Sequence, residues 1–546
     1  MNSNPTFQNP ILSGFHPDPS ICRVGSDYYL ATSTFHYAPG VPIFHSRDLV
    51  HWRQIGHVLN RPSQLLLEDT GPSTGIFAPT LRQHNGVFYM ITTNVGKLGN
   101  FVVTATDPEG LWSNPIWIEG AEGIDPSLYF EDERCYYVGN GNPKRSLYDG
   151  HHTIWLQELD LQSWQLVGEK TVIVDGGTDI AREPIWIEGP HVYKVDGLYY
   201  LVAAEGGTGD QHSVVVFRSD KIDGPYESYS GNPIVTNRAL DPARPNPITC
   251  TGHADLVQTQ NGEWWMVLLG CRPYPPAASH YYNMGRETFL VPMTWKDGWP
   301  VSRDGSGEVK RSYPVPDLPE HRWADEYGIG SFEFCDDFDG KKLGSRWNFM
   351  RSAKPAGVLP GEREGHLMIR CGADGLTDMG VPAFAGIRQR HQEFTATTAM
   401  EFAPNDDGES AGIAVVQNST TYFTVGLSRK RGQYVVRLER QANDGRPAEI
   451  VCECPVAQGR VELRISARGA EYSFAFSADG KSWTSLGQLD GTILSTRHTG
   501  GFVGAYVGLY AISSAEDSTA YADFDWFEYA GIDDGEAPQA GVTPQQ

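Results

Sequence analysis

The chain has 546 residues and a formal net charge of −24, with 40% apolar and 20% charged residues. Its length exceeds what one hydrophobic core usually supports, so at least two domains are expected, and its composition is that of a globular rather than a disordered protein. The strong negative charge argues against a nucleic-acid partner, because phosphates need a basic surface.

The N-terminal segment 1–10 (MNSNPTFQNP) has neither the basic nor the apolar region of a signal peptide. No run of apolar residues approaches the ~18 that a membrane span needs. We therefore expect no membrane partner and a cytoplasmic location, or a secreted or periplasmic one if a signal peptide has been trimmed. The eight cysteines are scattered without metal-ligand spacing, which favours buried free thiols over a disulfide framework.

Five segments before residue 270 share one pattern, in which a leading residue precedes an apolar run, a turn and an aromatic doublet. The step from leading residue to doublet is 10 residues in the first segment and 11 in the other four. The segments begin with DPSI at 18, FAPTL at 77, DPSL at 125, EGPHV at 188 and HADLV at 253. The turn pairs Asn85-Gly86, Asp196-Gly197 and Asn261-Gly262 are strong hairpin signals, so each segment is predicted to form two strands joined by a tight turn.

The spacing of these hairpins predicts further strands between them. The leading residues lie 59, 48, 63 and 65 residues apart, and the candidate extra strands include 101–106 (FVVTAT), 153–158 (TIWLQE) and 213–218 (SVVVFR). Four-stranded units in tandem predict an all-β fold, a five-bladed β-propeller over residues 5–320. A sandwich with coincidental hairpins is the alternative.

In a propeller, the leading residues of the five segments would lie close together in space. The first strand of each blade runs beside the central axis, so we expect a ring of Asp18, Phe77, Asp125, Glu188 and His253 around one mouth of the channel. Taken singly, an Asp-Pro pair is a common turn opener. Three carboxylates in one ring would repel one another, so at least one pKa should be raised. A protonated acid beside ionised ones is what acid–base catalysis at a glycosidic bond requires.

The motifs that carry these residues resemble glycoside hydrolase family 43, most closely its two-domain β-xylosidase and α-L-arabinofuranosidase branch. They are GFHPDPS at 14–20, GIFAPTL at 75–81, GIDPS at 123–127, IEGPH at 187–191, TGHAD at 251–255 and GRETFL at 285–290. The resemblance covers essentially the whole chain and implies a five-bladed propeller. It implies Asp18 as the general base that activates water, Glu188 as the general acid, and Asp125 as the carboxylate that tunes and orients the acid. The family inverts the anomeric configuration, which requires carboxyl groups roughly 6.5–9.5 Å apart.

The resemblance also implies roles for the surroundings of the carboxylates. Arg286 would hydrogen-bond the terminal sugar, because a fork of donors suits vicinal hydroxyls. His253 would lie beside a divalent cation, commonly calcium, near the propeller axis. Phe35 and Phe77 would form apolar walls for the sugar. Relatives often carry Trp where this chain has Phe77, which leaves the exact sugar specificity open.

A second domain is predicted after a connector at 302–330 that is rich in Gly, Ser, Pro and charge. Short apolar runs with Gly and Asp turns predict a β-sandwich over 331–530, and they resemble the concanavalin-like C-terminal domain of the same branch. In that branch a loop of this domain closes one side of the sugar pocket. Phe502 is the matching residue, unless it is a core aromatic of a strand. The tail 531–546 is expected to be disordered.

The sequence therefore predicts an inverting exo-acting glycosidase that releases terminal β-D-xylose, α-L-arabinofuranose or both from hemicellulose oligosaccharides, with β-xylosidase activity favoured. The alternatives are mainly α-L-arabinofuranosidase activity, or a carbohydrate-binding propeller without turnover. An oligosaccharide is the expected partner, and a homo-oligomer is left open. The stretch 71–75 (GPSTG) fits a G-x-S-x-G nucleophile motif, but it precedes a hairpin rather than a strand-to-helix turn and is rejected as a nucleophile.

Overall fold

The structure, a computed structural model, describes residues 5–275, 279–328 and 330–533. After β1 (Thr6–Gln8), the first antiparallel sheet contains β2 (Ser20–Val24), β3 (Asp27–Ala31), β5 (Gly40–Ser46) and β6 (Arg53–Leu59), and β4 (Tyr37–Ala38) lies in the loop before β5. The second sheet contains β7 (Gly75–Ile76), β8 (Thr80–His84), β9 (Val87–Val95), β10 (Gly99–Ala105) and β11 (Ile116–Trp117). In both sheets, further strands follow the hairpin, as the spacing of the repeat predicts.

Three further sheets follow in the same order. The third contains β12 (Ser127–Glu131), β13 (Arg134–Gly141), β14 (Thr153–Asp160) and β15 (Gln165–Asp175), followed by a 3₁₀ turn (Ile180–Arg182). The fourth contains β16 (Glu188–Val195), β17 (Leu198–Glu205), β18 (Ser213–Ser219) and β19 (Glu227–Ser228). The fifth contains β20 (Thr249–Gln258), β21 (Trp264–Cys271), β22 (Glu287–Lys296) and β23 (Trp299–Ser302). The five sheets confirm the predicted five-bladed β-propeller.

Turn chemistry explains why the hairpins form where the sequence places them. Asn85 and Asp196 both have φ of 50°, and the following glycines have φ of 80° and 84°. Left-handed backbone at both central residues matches the twist of the flanking strands. In the fifth blade the hairpin is wider, because the N–H of Thr259 donates to the carbonyl of Glu263.

The ring of blades is closed by the N-terminal segment and by a buried hub. Asn9 exchanges two hydrogen bonds with the backbone of Leu290 at 2.9 Å, which joins the chain start to the fifth blade. At the hub, fully buried Asp255 of the fifth blade accepts a 2.8 Å hydrogen bond from Arg82 of the second blade and a 2.7 Å bond from Ser20 of the first. One carboxylate therefore joins three blades that are distant in the sequence.

The second domain is a sandwich of two antiparallel sheets, as predicted. β24 (Ser312–Pro314), in the connecting segment, pairs with β1. The larger sheet contains β25 (Phe332–Asp336), β27 (Val358–Arg363), β28 (His366–Arg370), β30 (Glu393–Phe402), β35 (Arg460–Arg468), β36 (Glu471–Ser477), β37 (Thr484–Asp490) and β39 (Tyr521–Ile532). The other contains β29 (Phe384–Arg388), β31 (Glu409–Asn418), β32 (Thr421–Lys430), β33 (Gln433–Gln441), β34 (Glu449–Pro455) and β38 (Tyr506–Ser513).

Several contacts fix the sandwich against the propeller. β26 (Phe349–Met350) pairs with β4, and a 3₁₀ turn (Gly491–Leu494) and a short helix α1 (Thr496–Thr499) precede β38. Three buried arginines of the sandwich donate to backbone carbonyls of the propeller region: Arg351 to Thr70 at 2.8 Å, Arg388 to Phe15 at 2.7 Å, and Arg390 to Ser13 at 3.2 Å. Hydrogen bonds between buried groups thereby hold the sandwich against the propeller.

All eight cysteines are free, although Cys335 is exposed and Cys452 and Cys454 are partly exposed rather than buried.

The predicted start of the disordered tail at residue 531 is too early. The strand β39 extends through Ile532, and Asp533 forms a 2.9 Å ion pair with Arg272. Residues 534–546 lie outside the described residues. Across residues 5–275, 279–328 and 330–533, no helix has the length and apolar character of a membrane span.

Candidate active site

The leading residues of the five blades are not all equivalent, which corrects the predicted ring. When residues are counted back from the turn of each hairpin, one position is shared by Asp18, Asp125, Gly189 and His253. The backbone of all four residues is left-handed, with φ between 53° and 57°. Glu188 and Phe77 lie one residue before that position. The distance from the turn to the aromatic doublet differs by one residue between blades. Alignment of the five segments on the first residue of the doublet therefore conceals this offset. The two aspartates therefore enter the site from one backbone position and Glu188 from another.

Asp18 is held by two donors from distant parts of the chain. Its Oδ1 accepts a 2.8 Å hydrogen bond from Nη1 of Arg286, and its Oδ2 accepts a hydrogen bond from the hydroxyl of Ser33. The side chain of Asp18 is buried. Hydrogen bonds to a guanidinium are charge-assisted and geometrically specific, so this carboxylate has one defined orientation.

Asp125 and Glu188 have raised pKa values, as the sequence predicts for at least one of the carboxyl groups, but burial contributes more than the repulsion between them. Burial, followed by the charges of Glu188 and Asp18, raises the pKa of Asp125 well above its usual value. Burial, followed by the charge of Asp18, raises the pKa of Glu188 to about 7, although Arg286 opposes the shift. Crowded carboxylates in a poorly solvated site disfavour a second negative charge. Near neutral pH the site therefore holds at least one proton that a carboxyl group can donate.

His253 lies between the two aspartates at the axis. Its Nδ1 is 3.8 Å from Oδ1 of Asp18 and 4.0 Å from Oδ2 of Asp125. A Cβ on Gly189 would lie 3.0 Å from the imidazole, so glycine there leaves room for the ring. Burial, with a smaller effect of Arg286, lowers the pKa of His253. The imidazole is therefore neutral at physiological pH.

The residues around His253 do not form a protein cage for calcium. Within the described parts of the chain, no group of three or more His, Cys, Asp and Glu side chains has an arrangement that could hold a metal ion. Calcium takes six to eight oxygen ligands, whereas His253 contributes a nitrogen. The calcium ion expected near the axis stays a prediction, and the chemistry below does not depend on it.

Three phenylalanines form an apolar wall beside the carboxylates. The ring of Phe35 lies 4.8 Å from that of Phe77 and 5.8 Å from that of Phe502, and Phe77 lies 6.0 Å from Phe502. The guanidinium of Arg286 lies 5.4 Å from the Phe35 ring. Aromatic faces next to a fork of hydrogen-bond donors match a sugar ring, which has apolar C–H faces and polar edges.

Phe502 belongs to a loop of the sandwich rather than to the core of a strand. Its backbone N–H donates a 2.8 Å hydrogen bond to the hydroxyl of Ser73, and its carbonyl accepts from Nη2 of Arg286 at 3.4 Å. Ser73 is the serine of the rejected G-x-S-x-G match, and in the structure it anchors this loop. The second domain thus contributes one wall of the site.

Sequence reasoning missed three residues that position the candidate machinery. They are Ser33, which binds Asp18; Ser73, which holds the Phe502 loop; and Thr208, whose hydroxyl accepts a 3.1 Å hydrogen bond from Arg286. Single hydroxyl residues in loops carry no periodic signal. Only their contacts in the folded chain distinguish them from other serines and threonines.

Comparisons with known sequences agree with this arrangement. Residues 7–300 match glycosyl hydrolases family 43, and residues 335–530 match the β-xylosidase C-terminal concanavalin A-like domain. A xylosidase/arabinosidase of Butyrivibrio fibrisolvens is 40% identical over 525 residues, which cover 95% of this chain and 98% of that protein. A non-reducing end α-L-arabinofuranosidase of Bacteroides ovatus is 38% identical, over 97% of this chain and 95% of that protein.

A solved structure shows the same two-domain arrangement. The xylan β-1,4-xylosidase of Bacillus halodurans superposes with a TM-score of 0.88 at 35% identity, over 96% of this chain and 100% of that one. The family match covers more than half of the chain, and the relatives align from end to end. The chain is therefore a member of glycoside hydrolase family 43, in its two-domain xylosidase and arabinofuranosidase branch.

Proposed function

We propose that this protein is an inverting exo-glycosidase that releases a terminal pentose, β-D-xylose or α-L-arabinofuranose or both, from hemicellulose oligosaccharides, with β-xylosidase activity favoured. The observation that supports it best is the meeting of Asp18, Asp125 and Glu188 with Arg286 beside an apolar wall. The proposal extends to this chain the kind of activity named for its relatives.

In the proposed reaction Glu188 is the general acid. A carboxyl group with a pKa of about 7 is still protonated in a large fraction of molecules at neutral pH. It donates its proton to the glycosidic oxygen as the bond to the anomeric carbon breaks, so the leaving sugar departs as a neutral alcohol. The charge of Glu188 in turn raises the pKa of Asp125, so the two carboxyl groups do not lose their protons independently.

Asp18 is the proposed general base. It takes a proton from a water molecule, whose oxygen attacks the anomeric carbon on the face opposite the leaving group and inverts the configuration. Arg286 and Ser33 keep this carboxylate in one orientation. We expect Arg286 also to bind the hydroxyls of the terminal sugar, since its Nε has no hydrogen-bond partner among the described residues.

The test is to incubate the protein with 4-nitrophenyl β-D-xylopyranoside and 4-nitrophenyl α-L-arabinofuranoside and to follow the anomer of the released sugar by NMR. We expect cleavage of at least one substrate, with a first product of inverted configuration. The ratio of the two kcat/KM values then decides between xylosidase and arabinofuranosidase preference. Cleavage of neither glycoside, or retention of configuration, would contradict the proposal.

A further inference from the structure

The sandwich loop that carries Phe502 is held at both ends by one residue of the fifth blade. This Phe502 loop, residues 491–505, connects β37 to β38. Nδ2 of Asn283 donates to the carbonyl of Gly491 at 3.0 Å, and the N–H of Ala505 donates to the carbonyl of Asn283 at 2.8 Å. Asn283 is buried, so the two ends of the loop are fixed against the propeller.

The middle of the Phe502 loop is more open. From Thr496 to Gly501 every residue is exposed or partly exposed. Gly500 and Gly501 have φ of 72° and 75°, and glycine adopts this left-handed backbone without steric cost. The chain therefore turns just before Phe502, and the place of its ring depends on what holds the segment before the two glycines.

That segment is bound to the propeller through Arg497. Its guanidinium donates to Oδ1 of Asp210, in the loop between β17 and β18, and Nδ1 of His280 lies 3.2 Å from the same oxygen. The side chains of Asp210 and Arg497 are 39% and 31% exposed. Burial opposes the ionisation of Asp210, but the hydrogen bonds from Arg497 and His280 outweigh it and lower the pKa of the carboxyl group. The pair therefore carries opposite charges at neutral pH.

The loop that carries Asp210 also contacts the support of the proposed base. Thr208, two residues before Asp210, accepts the 3.1 Å hydrogen bond from Arg286. The other terminal nitrogen of Arg286 donates to the carbonyl of Phe502 at 3.4 Å. Asp210 and Arg497 thus complete a ring of contacts that begins and ends at the guanidinium of Arg286.

We propose that Asp210 is a positioning residue for the proposed reaction: by binding Arg497 it keeps the Phe502 loop closed, with the Phe502 ring against the terminal sugar. This inference rests on the proposed function. Without the ion pair the segment before the two glycines is released, so the fraction of molecules that present the ring to the sugar falls. A smaller fraction of binding-competent molecules weakens the apparent affinity in proportion. The effect should therefore appear in KM rather than in kcat.

The first test is steady-state kinetics on the aryl glycoside that the wild type cleaves. For Asp210→Asn and for Arg497→Gln we expect KM to rise about two- to fivefold, the range for loss of a partly exposed ion pair, and kcat to change less than about twofold. Arg497→Lys keeps the positive charge and should lie closer to the wild type. The double variant should lose no more than either single variant, because both remove the same contact.

A matched control separates this pair from others in the sandwich. Arg440→Gln breaks a 2.7 Å ion pair with Glu449 on β33 and β34, whose side chains are 38% and 59% exposed. It should leave KM unchanged. The Tm of each variant shows whether the protein is folded at the assay temperature.

Hydrogen exchange of the backbone amides provides a second readout that needs no catalysis. In Asp210→Asn and Arg497→Gln, amides of residues 496–502 should exchange faster than in the wild type, while those of β31 and β32 should not change. A clamp that acts only on this loop predicts this local pattern.

Three results would overturn the inference: an unchanged KM in both single variants, a double variant whose loss equals the product of the single losses, or unchanged exchange over 496–502. If the wild type cleaves neither aryl glycoside, the proposed function fails instead. The exchange measurement then still decides whether Asp210 holds the loop.

Discussion

Arg286 donates a 2.8 Å hydrogen bond to the carboxylate of Asp18, although 268 residues separate the two in the sequence. The same guanidinium binds Thr208 and reaches the carbonyl of Phe502 in the second domain. Its charge also opposes the raised pKa values of Asp125 and Glu188. One side chain thus connects the proposed base, the proposed acid and the loop that closes the pocket.

Glu188→Gln should lower kcat/KM on substrates with poor leaving groups by a factor on the order of 10² to 10⁴, because a general acid is lost. Activated aryl glycosides need less protonation of the leaving oxygen, so their loss should be much smaller. The measurement is kcat/KM for a series of aryl β-xylosides or α-arabinofuranosides whose leaving groups differ in pKa. Equal losses across the series would exclude Glu188 as the acid.

The pH dependence of the wild type should report the same group. Glu188 must be protonated to act, and its pKa is raised to about 7, so kcat/KM should fall as pH rises through about 7. The measurement is the pH–rate profile of wild type and Glu188→Gln on a phenyl glycoside, whose poor leaving group makes cleavage depend on the acid. The descending alkaline limb should be present in the wild type and absent in the variant, and a limb that persists in both would assign it to another group.

Asp18→Asn should reduce turnover severely on every substrate, by a factor on the order of 10² to 10⁴, because water then lacks its base. The leaving-group dependence should stay like that of the wild type, which separates this variant from Glu188→Gln. Asparagine can still accept a hydrogen bond from Arg286, so the Tm serves as the control for folding. Activity close to that of the wild type would remove Asp18 as the base.

Asp125→Asn should lower activity but raise the Tm at alkaline pH. The native pKa of Asp125 is raised by burial and by Glu188, so the native state keeps a proton that the unfolded chain has already released. The contribution of Asp125 to the free energy of unfolding is present in full at low pH, and it is lost as pH rises through the native pKa of Asp125. Asparagine carries no such proton, so the Tm difference between variant and wild type should be larger at pH 8 than at pH 5. Glu133→Gln, at an exposed hairpin of the same blade, is the control, and a pH-independent difference would contradict the argument.

Arg82→Ala should destabilise the propeller by roughly 3–5 kcal/mol, because it leaves the fully buried carboxylate of Asp255 without its guanidinium partner. Thermal unfolding followed by circular dichroism measures the loss as a lower Tm. Arg134→Ala breaks a surface pair with Glu158 at 3.9 Å and should leave the Tm nearly unchanged. Similar small shifts in both variants would mean that the hub does not hold the blades together.

Phe502→Ala should raise KM for the aryl glycosides by about three- to tenfold, since one wall of the pocket is lost, with a smaller effect on kcat. Tyr521→Ala removes an aromatic ring that is 51% exposed in the same domain and is the matched control. Steady-state kinetics on both variants make the comparison. An unchanged KM for Phe502→Ala would show that the sandwich supports the propeller without contacting the sugar.

The repeat could be predicted from the sequence because its signals are local. Asn85-Gly86 and Asp196-Gly197 encode hairpin turns through two residues, and the conformation in the structure agrees. Asp18, Asp125 and Glu188 could be found because each lies in a repeated motif. Alignment of the segments on their aromatic doublets conceals the one-residue offset of Glu188, because the doublet lies at a different distance from the turn in different blades.

By itself, the sequence determined the fold class, the number of blades and the three carboxylates, since strand periodicity and turn chemistry act over a few residues. Tertiary structure alone decided which hydroxyls hold Asp18, Arg286 and the Phe502 loop, and which arginine neutralises Asp255 at the hub. The reason is physical: those contacts, and the pKa of Glu188, depend on distances and burial that exist only once five blades close and the sandwich packs against them.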